Sequence, residues 1–531
     1  MPAGAAPVTI AGANLYLRHF RQDACFCEWT GTNVMTAYQD LSDHFGRIAA
    51  VSDALGILQW DNDVMMPVGA SARRGESLAA LNVMRHGLTT DPRLGDLIAS
   101  AEADTGLDVW ERANLREIRR IWTVETALPA DLVAASTRAV AACEMAWRQA
   151  RAASDFAALL PRLAEVLRLQ REIAVAKGER LGLSPYDALL NDYEPGGRSA
   201  DIDLLFDDLA AFLPGFTAEV MERQARRPAD PPLEGPFPVD TQRALGLRMM
   251  AALGFDFTRG RLDVSTHPFC GGADDDVRIT TRYDEADFAS ALMGVLHETG
   301  HALYEQGRPA AWMAQPVGRA RGMSVHESQS LLMEMQACRS AAFLAFAAPV
   351  VREAFGRSGP AWEAEALRRR FTRVAPGFIR VEADEVTYPA HVILRYRIEK
   401  ALIADQMPLS ELPAAWNAGM AALLGIVPPN DRLGCLQDVH WPSGGWGYFP
   451  TYTLGAMTAA QLFDAARQAD PGIMDAIAGG DFGPLVGWLR THVHGLGSLY
   501  ETPELLTRAT GRPLDASVFK AHLHRRYLEE A

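Results

Sequence analysis

The segment VLHETGHALYEQG, from Val295 to Gly307, places two histidines four residues apart, with a glutamate directly after the first. Residues i and i+4 share a helix face, so His297 and His301 can both present a ring nitrogen to one metal ion. Glu298 lies about 100° further around the helix and can reach a water on that ion without ligating it. The alternative is a pair of ordinary core or surface histidines, because this pattern arises by chance in roughly 2 of 100 chains of such composition.

A catalytic site of this kind needs a third protein ligand and an open position for water. Glu327, in GMSVHESQSLLMEM, begins a second predicted helix 26 residues after His301. Ser324 and Glu327 also match the capping box Ser-x-x-Glu, in which the glutamate only holds the helix N-terminus. His326 is a rival ligand. The spacing alone leaves these alternatives open.

The helix that carries the two histidines has clear predicted limits. Asp284 is the expected N-cap, Asp287 lies in the first turn, and Gly307 provides the C-terminal stop. Between these limits apolar residues recur on one side of the helix. The pattern therefore predicts an amphipathic helix that holds the histidines rigidly.

The rest of the chain is also predicted to be mostly helical. From about Met35 onward apolar residues recur at intervals of three and four, as over residues 35–60, 109–128 and 155–182. The clearest strand pattern is DVRITTRYD, residues 276–284. These patterns predict a mainly α-helical protein with very little β-structure.

Three segments do not fit the helical pattern. Residues 226–240 contain five prolines, and residues 441–455 are rich in glycine and aromatic residues, so both predict loops. The first 34 residues differ from all that follows. They are either a disordered extension or the product of an upstream start codon, with Met35 as the true first residue. The prediction is a single helical catalytic domain over residues 35–531.

The composition narrows the class of protein. The net charge is −15 with no basic stripe, which disfavours a nucleic-acid partner. Six sparse cysteines without a Cys-x-x-Cys pair argue against a disulfide framework or a thiolate zinc site. No apolar stretch is long enough to span a bilayer, and no secretory signal is evident. We therefore expect a cytoplasmic protein without a membrane partner.

Six motifs in a fixed order resemble the carboxypeptidase Taq family of zinc metallocarboxypeptidases, over most of the chain from about Met35. They are HPF (His267–Phe269), DVRIT (Asp276–Thr280), HETGH (His297–His301), HESQ (His326–Gln329), IRVEAD (Ile379–Asp384) and GCLQDVHW (Gly434–Trp441). The first 34 residues have no place in the family pattern.

The resemblance implies a fold, a metal and an assembly. It makes His297, His301 and Glu327 the ligands of one zinc ion per chain, although cobalt or another divalent metal is compatible with these ligands. It implies a large helical fold with a deep substrate groove, a small β-sheet near the active site, and a homodimer. The HPF, DVRIT and GCLQDVHW segments are expected to close one end of the groove, so that only the last peptide bond of a peptide with a free C-terminus is cut.

The resemblance also suggests roles in hydrolysis. Glu298 is expected to take the proton of the attacking water and deliver it to the leaving amine. Tyr388 is the first choice for a donor to the tetrahedral oxyanion, with His391 and His440 as weaker choices. The alternative, with equal weight, is that Tyr388 is a core residue whose hydroxyl only makes a structural hydrogen bond.

A carboxypeptidase must also bind a free carboxylate, for which the rigid fork of arginine is well suited. We expect Arg380 to do so, with Arg278 second and Arg395 and Arg397 as nearby alternatives. The competing interpretation is that these arginines form structural ion pairs. Four further residues lie in the motifs and are also predicted to bind substrate: His267, Gln437, Asp438 and His440.

Two other functions fit part of the same pattern. A helical zinc oligopeptidase that cuts inside short peptides pairs the same His-Glu-x-x-His pattern with a downstream glutamate. A helical binding or scaffold protein with a vestigial site is the alternative from a different class. The sequence carries every residue that hydrolysis needs, which favours the enzyme.

Overall fold

The computed structural model describes residues 35–530. The expectations for residues 1–34 lie outside this range. From Ala37 onward the described chain forms one compact unit. Within it are twenty α-helices and one three-stranded sheet, so the mainly α-helical fold predicted from the sequence is confirmed.

The helices range from six to 28 residues in length. Their bounds are α1 (Ala37–Val64), α2 (Ser71–Thr89), α3 (Arg93–Glu102), α4 (Val109–Glu125), α5 (Ala130–Ala153), α6 (Phe156–Leu181), α7 (Pro185–Leu190), α8 (Ser199–Ala225), α9 (Val239–Leu253), α10 (Phe288–Gly307), α11 (Met323–Leu331), α12 (Ala341–Phe355), α13 (Ala364–Phe371), α14 (Tyr388–Ile403), α15 (Leu412–Leu424), α16 (Pro450–Ala469), α17 (Ile473–Ala478), α18 (Gly483–His492), α19 (Thr502–Thr510) and α20 (Ala516–His524). The strands are β1 (Gly260–Val264), β2 (Cys270–Ala273) and β3 (Asp276–Thr281).

Local sequence explains where many helices begin. Asp108 and Glu111 form a reciprocal capping box at the start of α4, in which each carboxylate accepts the other residue's amide. Asp155 caps α6 by accepting the amide of Ala158. The helices predicted over residues 35–60, 109–128 and 155–182 are confirmed as α1, α4 and α6.

The sheet lies against α10. β3 is its central strand and pairs in parallel with β1 and antiparallel with β2. Val277 and Ile279 of β3 share an apolar cluster with Val295 and Ala302 of α10. The strand predicted over residues 276–284 is therefore observed, although it ends at Thr281.

Helices α10, α11 and α16 approach one another very closely. A Cβ atom at Gly300 of α10 would lie 2.4 Å from the carbonyl oxygen of Gln329 in α11. A Cβ atom at Gly455 of α16 would lie 2.9 Å from Cγ of Glu327 in α11. Only glycine permits such contacts, so α10, α11 and α16 form a tightly packed unit.

Two predicted loops are observed with different limits. The proline-rich loop ends where α9 begins at Val239. The prediction of a loop over residues 441–455 is wrong for its last six residues, because α16 begins at Pro450. Proline is favourable in the first turn of a helix, and Gly455 serves close packing within the helix.

The predicted limits of α10 also need correction. Asp287 is the N-cap, since its carboxylate accepts the amides of Ala289 and Ser290. Asp284 instead accepts the amide of Ala286 in the preceding turn. Gly307 is the last residue of α10, and the chain leaves the helix at Arg308.

Within residues 35–530 no single helix is long and apolar enough to cross a bilayer. Only when taken together are two consecutive segments, Pro316–Ala337 and Ala341–Phe355, long and apolar enough for a membrane span, and they are bent by 78° relative to each other. Much of both segments is buried in the largest apolar cluster of the protein.

Candidate metal centre and active site

His297 and His301 lie one turn apart on α10, with their ring centroids separated by 5.1 Å. Each ring is fixed through Nδ1: His297 Nδ1 lies 2.9 Å from Oε2 of Glu334, and His301 Nδ1 donates to the carbonyl oxygen of His326 at 3.1 Å. Such second hydrogen bonds orient metal-binding imidazoles. Neither of these bonds uses Nε2, so each ring keeps a second nitrogen that can bind a metal.

Glu327 of α11 completes a three-residue group. Its Oε2 atom lies 3.4 Å from Nε2 of His301. One ligand atom from each of His297, His301 and Glu327 lies within 4.8 Å of the others. Two imidazole nitrogens and one carboxylate oxygen fit a divalent metal with nitrogen and oxygen preference. The structure thus brings together the three residues predicted from the sequence.

Glu327 does not cap its helix. α11 begins at Met323 after Gly322, and Ser324 lies inside the helix, so the predicted capping box is absent. The amide of Ser324 donates instead to the carboxylate of Glu194, at 3.1 Å. The carboxylate of Glu327 is therefore free to face the histidines.

His326 is engaged elsewhere. Its Nε2 atom lies 2.8 Å from Oε1 of Glu305. Its ring stacks on His301, with centroids 4.6 Å apart. The structure therefore places His326 as a support for His301, beside the three-residue group and outside it.

The support of His297 by Glu334 is not apparent from the sequence. Glu334 lies on a π-helical turn, Leu332–Ala337, that follows α11, and its other carboxylate oxygen accepts from Arg339. π-Helical turns are rare and are frequently found at functional sites. The only signal in the sequence is that Glu334 follows Glu327 by seven residues, which is two helical turns.

Burial and neighbouring charges set the protonation of the group. Burial lowers the pKa of His301 to about 4. Burial opposes the ionisation of Glu327, but the hydrogen bond to His301 and the charge of His297 lower its pKa to about 2. Burial also opposes the charge of His297, but Glu334 and Glu327 raise its pKa to about 10. Glu327 is thus an anion, and a bound cation would take the place of the proton on His297.

Glu298 is buried next to this group, with 6% of its surface exposed. Burial raises the pKa of its carboxyl to about 7, and the negative charge of Glu327 adds to this effect. A cation held by the neighbouring ligands would lower the pKa again. A carboxyl with a pKa near neutrality is well matched to accept and release a proton.

Arg380 lies in a second buried group, which contains one aspartate and two arginines. Asp438 Oδ1 accepts from Arg380 Nη2 at 3.0 Å, and Oδ2 accepts from Nε of Arg395 at 2.6 Å. The amide of Arg380 donates to Gln437 at 2.9 Å. Asp438 and Gln437 therefore hold Arg380 in place.

This group has an excess positive charge. The two arginines hold the pKa of Asp438 well below its usual range, although burial opposes its ionisation. Burial lowers the pKa of Arg395 to about 10, which leaves it charged at neutral pH. One aspartate thus faces two guanidinium groups, and the group carries a net charge of +1.

Tyrosines connect the two groups. Tyr388 begins α14, and after burial the charges of Glu327 and Arg380 have the largest effects on its pKa, which lies well above the usual range. Tyr452 has the same two charged neighbours, and its ring centroid lies 4.5 Å from the Arg380 guanidinium. Tyr452 is not among the residues predicted from the sequence, and its only signal there is the aromatic- and glycine-rich segment GYFPTYTLG.

The two histidines predicted as weaker oxyanion donors differ in their surroundings. His440 Nε2 lies 3.1 Å from the Tyr452 hydroxyl, so His440 belongs to the second group. His391 is completely buried, and burial with the charges of Arg395 and Arg380 lowers its pKa to about 3. His391 is thus a neutral residue beneath the arginines.

The remaining predicted residues lie apart from these two groups. Arg278 on β3 forms two hydrogen bonds with Asp276 and stacks 4.5 Å from the ring centroid of Trp60. Arg397 is half-exposed and pairs with Asp207 at 2.7 Å. His267 is exposed in the turn between β1 and β2.

Known proteins match this chain over nearly its whole length. The model of the carboxypeptidase Taq (M32) metallopeptidase family matches residues 40–527. Thermostable carboxypeptidase 1 of Thermus thermophilus is 37% identical over 503 residues, which cover 92% of this chain and 98% of that protein. Thermostable carboxypeptidase 1 of Pyrococcus furiosus is 34% identical over 489 residues, covering 91% and 97%.

A solved structure gives the same result for the fold. Metallocarboxypeptidase 1 of Trypanosoma cruzi superposes with a TM-score of 0.91 and 42% sequence identity, covering 93% of this chain and 99% of that one. The family resemblance deduced from the six motifs is confirmed by these matches.

Proposed function

This chain belongs to the carboxypeptidase Taq (M32) metallopeptidase family, and we propose that it releases single amino acids from the C-terminus of peptides at a zinc ion held by His297, His301 and Glu327. Family membership makes the chain a metallocarboxypeptidase; the roles of individual residues and the identity of the metal are our proposals. The observation that carries the proposed residue roles is that Tyr388 and Tyr452 share two charged neighbours, Glu327 of the metal group and Arg380.

Zinc is proposed from the donor set of two imidazoles and one carboxylate. When bound, the metal supplies Lewis acidity, which acidifies water and polarises the scissile carbonyl. The chain's own contribution is the fixed orientation of both rings through Glu334 and the carbonyl of His326.

Glu298 is proposed as the general base. It follows the first ligand on α10, it is buried, and no hydrogen bond occupies its carboxylate among residues 35–530. It takes a proton from the attacking water and later delivers it to the leaving amine.

Arg380 is proposed to bind the free carboxylate of the substrate. Its bonds to Asp438 use Nε and Nη2, and its guanidinium also interacts with the Tyr388 hydroxyl. The net charge of +1 on Arg380, Asp438 and Arg395 favours an anion there. Arg278 is less suited, because it lies on β3 against Trp60, in an ion pair with Asp276, and not beside the metal group.

The oxyanion donor is proposed to be Tyr388, as expected from the sequence, with Tyr452 as its partner. A hydroxyl with a raised pKa stays protonated and can donate a hydrogen bond to developing negative charge. We propose that the scissile carbonyl of a bound C-terminal residue lies beside these two hydroxyls, between Glu327 and Arg380. Gln437, Asp438 and His440 support this region through Arg380 and Tyr452.

The decisive experiment is digestion of one peptide in two forms, with a free and with an amidated C-terminus, followed by mass spectrometry. A ladder of single C-terminal losses from the free form, abolished by a chelator and restored by zinc, is the expected result. Equal cleavage of the amidated form, at internal bonds, would instead identify an oligopeptidase.

Family resemblance also leads us to propose a homodimer in the cytoplasm, with residues 35–531 as the catalytic domain. Size-exclusion chromatography with light scattering tests the dimer, and cell fractionation tests the compartment. Intact mass of the protein from its native host tests whether the chain begins at Met35. Full activity of a chain that begins there would support the proposed domain limits.

A further inference from the structure

A basic cavity lies between the C-terminal end of α5 and the segment that follows α15. Its volume is about 250 Å³, and it is lined by Trp147, Arg148, Arg151, Ala152 and Arg432. Three of the five lining residues are thus arginines. The cavity belongs to neither of the two groups described above.

These three arginines lack acidic partners. Within residues 35–530, none of their guanidinium groups forms a hydrogen bond or an ion pair. Nε of Arg151 is buried with no acceptor, and its guanidinium lies 5.7 Å from the ring centroid of Trp147. Arg148 and Arg432 are exposed, and Arg151 is half-buried. A buried donor without an acceptor is costly, so it indicates a missing partner.

We propose that this cavity binds the phosphate group of a small metabolite. Three guanidinium groups provide a charge of +3 and paired donors whose geometry matches phosphate oxygens. The volume is slightly below the usual range of about 300–1,000 Å³ for small-molecule sites, so the ligand is small.

The cavity is linked to Arg380 through one chain segment. Nε1 of Trp147 donates to the carbonyl oxygen of Leu436 at 2.9 Å, and the amide of Arg432 donates to the hydroxyl of Ser154 at 3.1 Å. Gln437 and Asp438, which hold Arg380, directly follow Leu436. A phosphate that anchors Arg432 therefore stabilises the segment that positions Arg380, and it lowers KM for peptides with a free C-terminus.

The test is isothermal titration of the zinc-loaded full-length protein with inorganic phosphate, at constant ionic strength. The double variant Arg148→Gln/Arg151→Gln is compared with a matched control, Arg168→Gln/Arg508→Gln, which removes two exposed arginines that already pair with glutamates. Zinc content and circular dichroism confirm folding of each variant.

We expect a phosphate site in the wild-type protein and in the control whose affinity falls at least tenfold in the double variant, whereas phosphate that binds at the Arg380 group is the same in all three proteins. Absence of phosphate binding to the wild type overturns the site, as does equal binding by both variants. The latter outcome means that the arginines only complement the C-terminal dipole of α5. Binding of tricarballylate in place of phosphate overturns the assignment of the ligand class.

Peptide hydrolysis tests the link to Arg380. Saturating phosphate should lower the wild-type KM about fivefold and leave the KM of the double variant unchanged. Unchanged KM in the wild type overturns the link. Because titration measures binding directly, a failure of the proposed peptidase activity would not be mistaken for a failure of this site.

Discussion

At the scale of single residues, burial gives chemically similar side chains different roles. Glu298 and Glu327 are both buried on neighbouring helices, yet their pKa values are shifted in opposite directions, to about 7 and about 2. Glu327 has a hydrogen bond to His301, whereas burial and the negative charge of Glu327 disfavour ionisation of Glu298. The anion suits a metal ligand, and the carboxyl that gains and loses a proton suits a base.

The first prediction concerns Glu298. Glu298→Gln should lower kcat/KM by roughly a hundred- to ten-thousand-fold, because an amide cannot accept the proton of water. Zinc content, measured by atomic absorption, should stay at the wild-type level, since Glu298 is no ligand in our proposal. Activity close to that of the wild type would assign the base to another residue.

The second prediction concerns Arg395, which is completely buried and, in our proposal, acts on Arg380 through their shared partner Asp438. Arg395→Met leaves Asp438 to neutralise Arg380, so we expect KM for free peptides to rise by roughly ten- to a hundred-fold with little change in kcat. Steady-state kinetics on free and amidated peptides measures the change.

Arg395→Lys keeps the charge and serves as the control, with an expected partial recovery of KM. This variant also covers the case in which Arg395→Met fails to fold, because the loss of a buried charge partner is destabilising. A lowered melting temperature with unchanged KM in either variant would make Arg395 a purely structural residue.

At the scale of elements, the site depends on the close approach of α10, α11 and α16. The metal group lies across α10 and α11, and Gly455 lets α16 pack directly on Glu327. The π-helical turn after α11 brings Glu334 to His297. Small residues and one irregular turn, rather than the catalytic residues themselves, therefore set the ligand geometry.

The third prediction follows from this packing. Gly455→Ala introduces a methyl group 2.9 Å from the side chain of Glu327, so it should destabilise the fold by about 1–3 kcal/mol and weaken zinc binding. Chelator competition measures the affinity and thermal unfolding measures the stability.

Gly487→Ala is the matched control, since Gly487 also lies within a helix, α18, and a methyl group there would meet nothing beyond its own helix within 4 Å. This variant should leave zinc affinity unchanged and stability equal or slightly higher. Equal behaviour of the two variants would show that the contact at Gly455 is unimportant.

At the scale of the whole molecule, one buried carboxyl joins segments that are far apart in the chain. Glu399 of α14 accepts from the Tyr186 hydroxyl at 2.8 Å and from Trp441 Nε1 at 3.1 Å. Trp441 belongs to the same segment as Gln437 and Asp438. The conformation of that segment thus depends on a contact with α7 and α14, well away from the metal group in sequence.

The fourth prediction concerns the protonation of Glu399. Burial raises its pKa from 4.5 to about 7 in the folded protein, so the folded state binds the proton more tightly than the unfolded state. This contribution to stability is complete below pH 4.5 and is lost as the pH rises through 7. The wild type should therefore lose roughly 3 kcal/mol relative to Glu399→Gln over this range.

Urea unfolding of both proteins at several pH values from 4.5 to 8 gives the difference in free energy of unfolding. Comparison with Glu399→Gln removes the contribution of the other titrating groups, which the two proteins share. Parallel stability curves would mean that Glu399 ionises normally.

The amino-acid sequence was enough to predict the helical class, the central strand, and the pair His297 and His301 on one helix face. These features were predictable because each depends only on periodicity and spacing within one short segment of the chain. The family motifs added Glu327, which spacing alone left undecided between ligand and cap. The motifs also indicated Arg380, Gln437 and Asp438 without showing how they relate.

Only the folded chain shows which residues, distant in sequence, are in contact. Glu334 reaches His297 across 37 positions, and Arg395 reaches Asp438 across 43. The fold also showed that Arg278 is already engaged by Asp276. Such contacts depend on how helices pack, and packing depends on the shapes of many side chains at once, which periodicity within one segment does not encode.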